Sequence, residues 1–184
     1  ASAEAVAHEI ESGGGRAIAL VADVARSEQV AIAIQTAERE GGRLQVLFNN
    51  AGVFPGDDGS PVDTPEDVWE QVIDINLTGV WLCCREAARV MKPAESGSVI
   101  NVSSTLGAVG LEQRSAYSSS KSGVIGMTRT LAKEWAQSGV RCNALCPGPF
   151  LTEMNVPIAN DPAMIEPIMI AVMGFIVGGI VLAV

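Results

Sequence analysis

The feature that most constrains this chain is the alternation of short apolar runs with longer segments of helical periodicity. Four runs have the length and composition of buried strands: residues 17–21, 46–48, 98–102 and 141–146. Segments that suit helices separate these runs, with short turns between them. Helical crossovers of this length join parallel strands, so the pattern predicts an α/β fold. We expect a doubly wound parallel sheet covered by helices on both faces, in three layers.

The predicted helices have recognisable starts and one internal irregularity. Ser27 and Thr64 each precede an apolar helical pattern, so both are expected to cap a helix N-terminus. The helix that follows Thr64 is predicted to continue to about residue 91, with a bend near Asn76. A further long helix is predicted over residues 115–137.

The composition favours one folded unit and argues against nucleic-acid binding. Of the 184 residues, 48% are hydrophobic and 18% are charged, which is typical of a folded domain and not of a disordered chain. The formal net charge of -9 would repel a phosphate backbone. We therefore expect no nucleic-acid partner.

The metal-ligating residue types are too few and too scattered for a metal site. The four cysteines lack a C-x-x-C spacing, and His8 is the only histidine. These observations predict reduced thiols, no zinc site, and neither a Ser-His-Asp nor a Cys-His mechanism. Asp57 and Asp58 lie in a loop rich in glycine and proline without a third suitable carboxylate, so a solvated loop is expected there.

A phenol and an ammonium group, Tyr117 and Lys121, lie four residues apart in the last predicted helix. This spacing places both side chains on one helix face. A phenol titrates at about 10 and is a poor base at neutral pH, but a neighbouring cation favours phenolate and lowers its pKa. The pair therefore suits acid–base chemistry, whereas a solvated pair on the surface is the plain alternative.

A serine pair follows the third predicted strand. Ser104 lies at the carboxyl end of the run 98–102, where open α/β sheets bind ligands. Its hydroxyl can donate to a substrate carbonyl while Tyr117 exchanges the proton, although a serine that caps the turn is the simpler alternative. For Ser103 we favour that structural role.

Asparagines occupy two further positions of interest. Residues 49–52, Asn-Asn-Ala-Gly, follow the second predicted strand, where small residues let the backbone approach a ligand and amides can tie neighbouring strands together. A plain turn explains this segment equally well. Asn76 lies within an apolar helix, and a buried amide needs partners. One use is to hold a backbone carbonyl and a water at a helix bend.

Taken in order, these features resemble the short-chain dehydrogenase/reductase family in its ketoreductase-like form. The resemblance covers the chain to about residue 155 and implies a Rossmann-like fold. It rests on an ordered set of motifs: Asp23-Val24, the Asn-Asn-Ala-Gly turn, the Asn76 segment, the serine, Tyr-x-x-x-Lys, and Pro147-Gly148 with Thr152 behind it.

The resemblance implies a catalytic set and a cofactor site. Tyr117 would be the general acid–base, and Lys121 would lower its pKa and hold the nicotinamide ribose. Ser104 would orient the substrate carbonyl, and Asn76 would anchor a relay water. The remaining cofactor contacts would come from Asp23 and Val24 at the adenine, from Asn50, Ala51 and Gly52 at the adenosine ribose, and from Pro147, Gly148, Phe150 and Thr152 around the nicotinamide.

The beginning of the chain departs from the family's pattern. Family members open with a strand, a glycine-rich turn and a helix whose N-terminus receives the cofactor's pyrophosphate. Here the glycines at 13–15 instead end a predicted helix over residues 3–11. We therefore expect the first βαβ unit to be missing, and the choice between NAD and NADP cannot be read. The doubly wound strand order would place the missing strands between residues 17–21 and 46–48.

The end of the chain departs from the pattern as well. Residues 168–184 contain no charged or hydrogen-bonding side chain and reach the lower length limit of a membrane span. The stretch resembles the last membrane helix of type II secretion or type IV pilus platform proteins. We accordingly divide the chain into a partial Rossmann-fold domain, residues 1–155, and an apolar tail of uncertain origin, residues 156–184.

The leading hypothesis is a cytoplasmic NAD(P)-dependent oxidoreductase that transfers a hydride between a nicotinamide cofactor and a ketone or secondary alcohol. The chain itself is expected to be an inactive fragment of such an enzyme. A non-catalytic remnant and a membrane-anchored fusion product stay open as alternatives. An epimerase or dehydratase of the extended family fits less well, because those enzymes generally need a longer C-terminal substrate domain.

The expected partners follow from this hypothesis. They are a small carbonyl or alcohol substrate, whose identity the sequence does not reveal, and further copies of the intact family member in a homodimer or homotetramer. Membrane association is expected only if the apolar tail is genuine.

Overall fold

Parallel strand pairing organises this chain. The computed structural model describes residues 3–148 of the 184. Its strands form one parallel sheet in the order β1, β2, β3, with β1 at Val46–Asn49, β2 at Gly97–Val102 and β3 at Val140–Leu145. In the register, Val99 of β2 is level with Leu47 on one side and Cys142 on the other. Three of the four predicted strands are thus present, and the parallel α/β fold class is confirmed.

Helices form the connections between the strands. They are α1 (Ala3–Ser12), α2 (Ser27–Gly41), α3 (Glu66–Ile73), α4 (Gly79–Met91), α5 (Leu106–Val109) and α6 (Ser115–Trp135). A π-helical turn, Asp74–Thr78, joins α3 directly to α4, and a 3-10 turn, Ala136–Ser138, follows α6. The bend predicted near Asn76 is this π-helical turn. The helix predicted over residues 115–137 is α6 with its closing turn.

The main core lies between the sheet and helices α4 and α6. Its buried members are Val80, Cys84, Ala87 and Met91 from α4, Val99, Val140 and Cys142 from the sheet, and Val124 and Trp135 from α6. Helix α2 packs Val30 and Ile34 against Leu82 of α4. Within residues 3–148 these helices cover one face of the sheet. On the opposite face Val46, Phe48 and Leu145 are about half exposed.

The run at residues 17–21 does not form the predicted strand. It has no regular secondary structure, and Val21 is 93% exposed. A strand needs a neighbour that accepts and donates backbone hydrogen bonds. In the part of the chain that the structure describes, β1 pairs only with β2, so no strand is available beside this run. Apolar composition alone was therefore an insufficient signal.

The two predicted helix caps are also wrong. Helix α2 begins after Arg26 and α3 after Pro65, and neither start has a side-chain cap hydrogen bond. The Ser27 hydroxyl instead accepts a hydrogen bond from the Arg85 guanidinium at 2.7 Å. The Thr64 hydroxyl accepts from the backbone N–H of Gly59 at 3.0 Å, so it closes the preceding loop. The Ser27 hydroxyl thus has a distant partner that the local spacing does not reveal, whereas the Thr64 hydroxyl bonds within its own loop.

Further features of residues 3–148 bear on the functional alternatives. No helix in this range is long and apolar enough to cross a membrane. Within the same residues no group of three or more His, Cys, Asp or Glu side chains is placed to hold a metal ion, and the four cysteines are free thiols. The predicted tail, residues 156–184, lies outside the described residues.

Candidate active site

The candidate site lies at the carboxyl ends of the three strands. Because the strands are parallel, the segments that follow Asn49, Val102 and Leu145 all emerge at one edge of the sheet. The ends of β2 and β3 stay joined beyond the strands. Ser103 N–H donates to the Leu145 carbonyl at 2.7 Å, and Thr105 N–H donates to the Pro147 carbonyl at 3.0 Å. These bonds hold the serine segment beside the Pro147-Gly148 segment.

A buried amide network supports this edge of the sheet. The Asn49 amide nitrogen donates to Asn101 Oδ1 at 2.8 Å, which ties β1 to β2. The Asn101 amide nitrogen donates to Thr128 Oγ1 of α6 at 3.0 Å. The predicted tie between neighbouring strands is therefore present at Asn49. Asn101 and Thr128 were not predicted as members, although an asparagine inside an apolar strand run was an available signal.

Asn76 holds the loop that follows β1. Its amide nitrogen donates to the Val53 carbonyl at 2.9 Å, and its Oδ1 accepts from the Val53 N–H at 2.8 Å. The side chain is fully buried in the π-helical turn. The Asn76 side chain therefore pairs with both the N–H and the carbonyl of Val53. The backbone carbonyl that Asn76 was expected to hold is the Val53 carbonyl.

Tyr117 and Lys121 lie together on α6 and face the serine segment. Lys121 Nζ lies 5.6 Å from the centroid of the Tyr117 ring and donates to the Val102 carbonyl at 2.9 Å. The Ser104 side chain lies close enough to the Tyr117 phenol to lower its pKa as a hydrogen-bonding partner would, and its Oγ accepts from the Leu106 N–H at 3.1 Å. Ser103 instead donates its hydroxyl to the Lys121 carbonyl at 2.7 Å. Ser104 therefore lies next to the phenol, whereas Ser103 braces α6.

The protonation of the pair differs from the sequence prediction. Burial raises the pKa of Tyr117 above its ordinary value, and the hydrogen bond with Ser104 opposes that shift. Burial also lowers the pKa of Lys121 to about 8, against the opposing effect of the Cys146 thiol nearby. The sequence predicted a lowered pKa for Tyr117, and that prediction is wrong for this structure. The Lys121 ammonium group lies over the Tyr117 ring and donates to the Val102 carbonyl. The phenol itself is buried, and this burial raises its pKa.

Gly52 brings the backbone of the loop close to the lysine. A Cβ at this position would lie 3.2 Å from Asn76 Oδ1 and 3.6 Å from Lys121 Nζ. The absence of a side chain thus leaves room beside an ammonium group that has used one of its three donors on Val102.

The other predicted cofactor residues lie around the same edge or along the adjoining loop. Asn50 and Ala51 are exposed just beyond β1, and Pro147 and Gly148 are half-buried beyond β3. Phe150 and Thr152 lie outside the described residues.

The predicted adenine contacts form a separate turn before α2. Asp23 accepts the Ala25 N–H at 2.9 Å through Oδ1 and lies 3.7 Å from Arg26 Nε through Oδ2. Val24 packs against the first residue of α4, where a Cβ on Gly79 would lie 2.9 Å from Val24 Cγ2. The Asp23 side chain is exposed, so a ligand can reach it.

The prediction of a solvated loop at Asp57 and Asp58 is wrong at Asp58. Asp57 is exposed, as expected for a solvated loop, but Asp58 is fully buried. Its carboxylate accepts the N–H groups of Ala116 and Tyr117 at the start of α6. The spacing of nearly sixty residues gives no local sequence signal for such a contact.

Comparison with known proteins identifies the family to which this fold and this arrangement of side chains belong. A family model described as short chain dehydrogenase matches residues 1–163. The 3-oxoacyl-[acyl-carrier-protein] reductase of Synechocystis sp. is 40% identical over 163 residues, which are 89% of this chain and 65% of that protein.

Solved structures show the same fold. The crystal structure of gox2181 matches with a TM-score of 0.85 at 28% identity, covering 91% of this chain and 65% of that one. An NAD+-bound xylitol dehydrogenase gives a TM-score of 0.74 at 32% identity, covering 80% of this chain and 58% of that one.

This chain belongs to the short chain dehydrogenase family, as the order of its motifs predicts. It spans about two thirds of the length of the reductase that it matches.

Proposed function

We propose that this chain supplies the catalytic part of an NAD(P)-dependent oxidoreductase acting on a ketone or secondary alcohol. The observation that carries the proposal is the meeting of Tyr117, Lys121 and Ser104 at the carboxyl edge of the parallel sheet. Family membership supports it, and so does the similarity to a 3-oxoacyl-[acyl-carrier-protein] reductase and to a xylitol dehydrogenase.

The proposed mechanism assigns the proton to Tyr117. When bound, the nicotinamide supplies or accepts the hydride. Ser104 donates a hydrogen bond to the substrate oxygen and holds it beside the phenol. The raised pKa of Tyr117 keeps the phenol protonated at neutral pH, so it can donate to an oxygen that becomes an alcohol. The protonated phenol is the form that donates in the direction of carbonyl reduction.

Lys121 and Asn76 have supporting roles in this proposal. Lys121 has donors left for the nicotinamide ribose. Asn76 fixes the Val53 backbone and so the path of the loop after β1; a relay water at its amide is part of the proposal. Asp23 and Val24 would meet the adenine, and Asn50, Ala51 and Gly52 the adenosine ribose. Pro147, Gly148, Phe150 and Thr152 would surround the nicotinamide.

Several finer points belong to the same proposal. We assign the domain to residues 1–155 and its cellular place to the cytoplasm, with a small molecule as substrate and a homodimer or homotetramer as the working assembly. Either NAD or NADP satisfies the contacts above.

A hybrid protein provides the test. Residues 16–148 are placed between the N-terminal and C-terminal segments of the Synechocystis reductase, and oxidation of NADH or NADPH with a 3-oxoacyl thioester is followed. Tyr117→Phe should reduce turnover to well below a tenth, because phenylalanine keeps the ring but removes the proton donor. Retention of a tenth or more would overturn the assignment.

The serine pair supplies a matched control in the same hybrid. Ser104→Ala should reduce turnover severely, whereas Ser103→Ala should leave most of it, because the Ser103 hydroxyl donates to the Lys121 backbone carbonyl and not to the phenol. A hybrid that binds cofactor but does not turn over with Tyr117 in place would favour the non-catalytic remnant. The 184-residue chain alone is expected not to turn over cofactor, because its glycines at 13–15 end α1 and do not open a helix.

A further inference from the structure

The loop between β1 and α3 contacts both sides of the proposed site. We call residues 53–58 the bracket loop. At its first residue, Val53 is held by Asn76 through two hydrogen bonds. Next to it, the Phe54 ring meets the Tyr117 ring edge-on, with centroids 4.6 Å apart and an interplanar angle of 86°. At its last residue, Asp58 bonds to the backbone of α6. The bracket loop therefore connects the π-helical turn to the helix that carries the phenol.

Asp58 supplies the acceptors that the start of α6 lacks locally. The first N–H groups of a helix have no partner within the helix. Arg114 occupies the N-cap position and makes no side-chain cap hydrogen bond. Asp58 Oδ1 accepts the Ala116 N–H at 3.1 Å, and Oδ2 accepts the Tyr117 N–H at 2.8 Å. A carboxylate at this end of a helix also interacts favourably with the helix dipole.

The surrounding contacts keep this carboxylate in place. Asp58 is fully buried, so its hydrogen bonds do not compete with solvent. The Arg114 guanidinium donates to the Asp58 carbonyl and lies 5.0 Å from the centroid of the Phe54 ring. Phe54 in turn contacts Tyr117. These four residues form a closed ring of contacts, through side chains and backbone, around the first turn of α6.

We propose that Asp58 is a positioning residue for Tyr117. It accepts the backbone N–H of the residue that bears the phenol, and this fixes where the hydroxyl lies relative to Ser104. The catalytic meaning of this inference rests on the function proposed above. Its structural content does not, because the backbone amides and the tyrosine can be observed without turnover.

The test uses the 184-residue chain and three variants. Asp58→Ala removes both acceptors, and Asp57→Ala removes the exposed neighbouring carboxylate as the matched control. Asp58→Asn keeps the size of the side chain and one of its two acceptor oxygens. It therefore provides the test of the positioning role if the alanine variant does not fold. Hydrogen exchange is measured at the amides of Ala116 and Tyr117, with the core amide of Val99 as the internal reference.

We expect Asp58→Ala to accelerate exchange at Ala116 and Tyr117 at least tenfold relative to Val99, with a smaller effect in Asp58→Asn and none in Asp57→Ala. Tyr117 is the only tyrosine, so tyrosinate absorbance follows this phenol alone. Its pKa should fall towards the ordinary value in Asp58→Ala, because a loosened helix start admits water. Equal acceleration at Val99 would overturn the proposal, since Asp58 would then only stabilise the whole fold. An unchanged tyrosine titration in a folded Asp58 variant would also overturn it.

Turnover in the hybrid separates this inference from the proposed function. In the hybrid, Asp58→Ala should lower kcat at least tenfold. It should leave the KM for cofactor within about twofold, because the hydrogen bonds of Asp58 go to Ala116, Tyr117 and Arg114 and not to Lys121, the residue proposed to hold the nicotinamide ribose. If Tyr117→Phe left turnover intact, the proposed function would fail while the exchange result could still stand. If Tyr117→Phe abolished turnover but Asp58→Ala did not lower kcat, the positioning role would fail alone.

Discussion

Apolar runs of similar composition adopt different structures before residue 30 and in the region from β1 onwards. Both contain apolar runs of strand-like composition, at residues 17–21 and 98–102. The second run is the central strand β2, with Val99 fully buried between two paired neighbours. The first run is irregular, and none of residues 3–29 is buried. The same apolar content therefore gives a strand only where a hydrogen-bonding neighbour and a covering helix exist.

This contrast also explains where the candidate site can form. The side chains of Asn76, Ser104, Tyr117 and Lys121 belong to the second region, where buried partners fix each one. Asp23, the predicted adenine contact, belongs to the first and is held mainly by its own turn. The structure thus holds the proposed catalytic residues through buried partners, whereas it holds the proposed adenine contact through its own turn.

The largest expected effect separates the two runs directly. Val99→Asp would bury an unpaired carboxylate in the core, which costs several kcal/mol, on the order of 3–5. The matched substitution Val21→Asp changes a residue that is 93% exposed and should shift the free energy of unfolding by no more than about 0.5 kcal/mol. Denaturant unfolding followed by circular dichroism measures both. Similar losses in the two variants would mean that residues 17–21 pack in solution, contrary to the contrast.

A smaller effect is expected in the amide network beneath the site. Asn101→Ala leaves the Asn49 amide without its acceptor and Thr128 without one donor, and such unpaired buried groups cost about 1–3 kcal/mol. Asn143→Ala is the control, because this half-buried asparagine lies on the opposite face in the next strand. Its loss should be within about 0.5 kcal/mol. Equal values for the two asparagines would show that the network does not stabilise this edge.

Strands β1 to β3 were predicted from apolar composition, and they form because their pairing partners, about 40 to 50 residues away, are present. The helical features were predicted from relations between neighbours along the chain. Helix α6 followed from periodicity, and the bend at Asn76 followed from one polar residue in an apolar helix. The juxtaposition of Tyr117 and Lys121 followed from helical spacing, because residues four apart share a face. Local relations of this kind can be read from a sequence.

Most of the errors share a different cause. Residues 17–21 lacked a neighbour, Ser27 bonded to the distant Arg85, and Asp58 capped a helix from the other side of the site. Each of these outcomes depends on which segments the tertiary fold brings together; Thr64 is different, because it bonds within its own loop. The predicted lowering of the Tyr117 pKa was wrong because burial, a property of the assembled site, raises it and outweighs the effect of Ser104.

The smallest effect tests the burial of Lys121 through the pH dependence of stability. Its pKa is lowered from 10.5 in the unfolded chain to about 8 in the folded protein. Between these values the unfolded chain binds a proton that the folded protein does not, so this group adds a rise of stability with pH across the window. Three thiols titrate in the same window. The raised pKa values of Cys83 and Cys84 add a fall with pH above their ordinary value of 9, and the lowered pKa of Cys142 adds a rise below it. The thiols are the same in both proteins, so the comparison is between slopes: from pH 8 to 10 the slope of the free energy of unfolding should be less positive in Lys121→Met than in the unchanged chain. Denaturant unfolding at half-unit pH steps measures both slopes, with Lys133→Met, an exposed lysine on the same helix, as the control. A slope unchanged by Lys121→Met would show that this ammonium group is hydrated in solution, and the surroundings of Lys121 would then be more open than the structure describes.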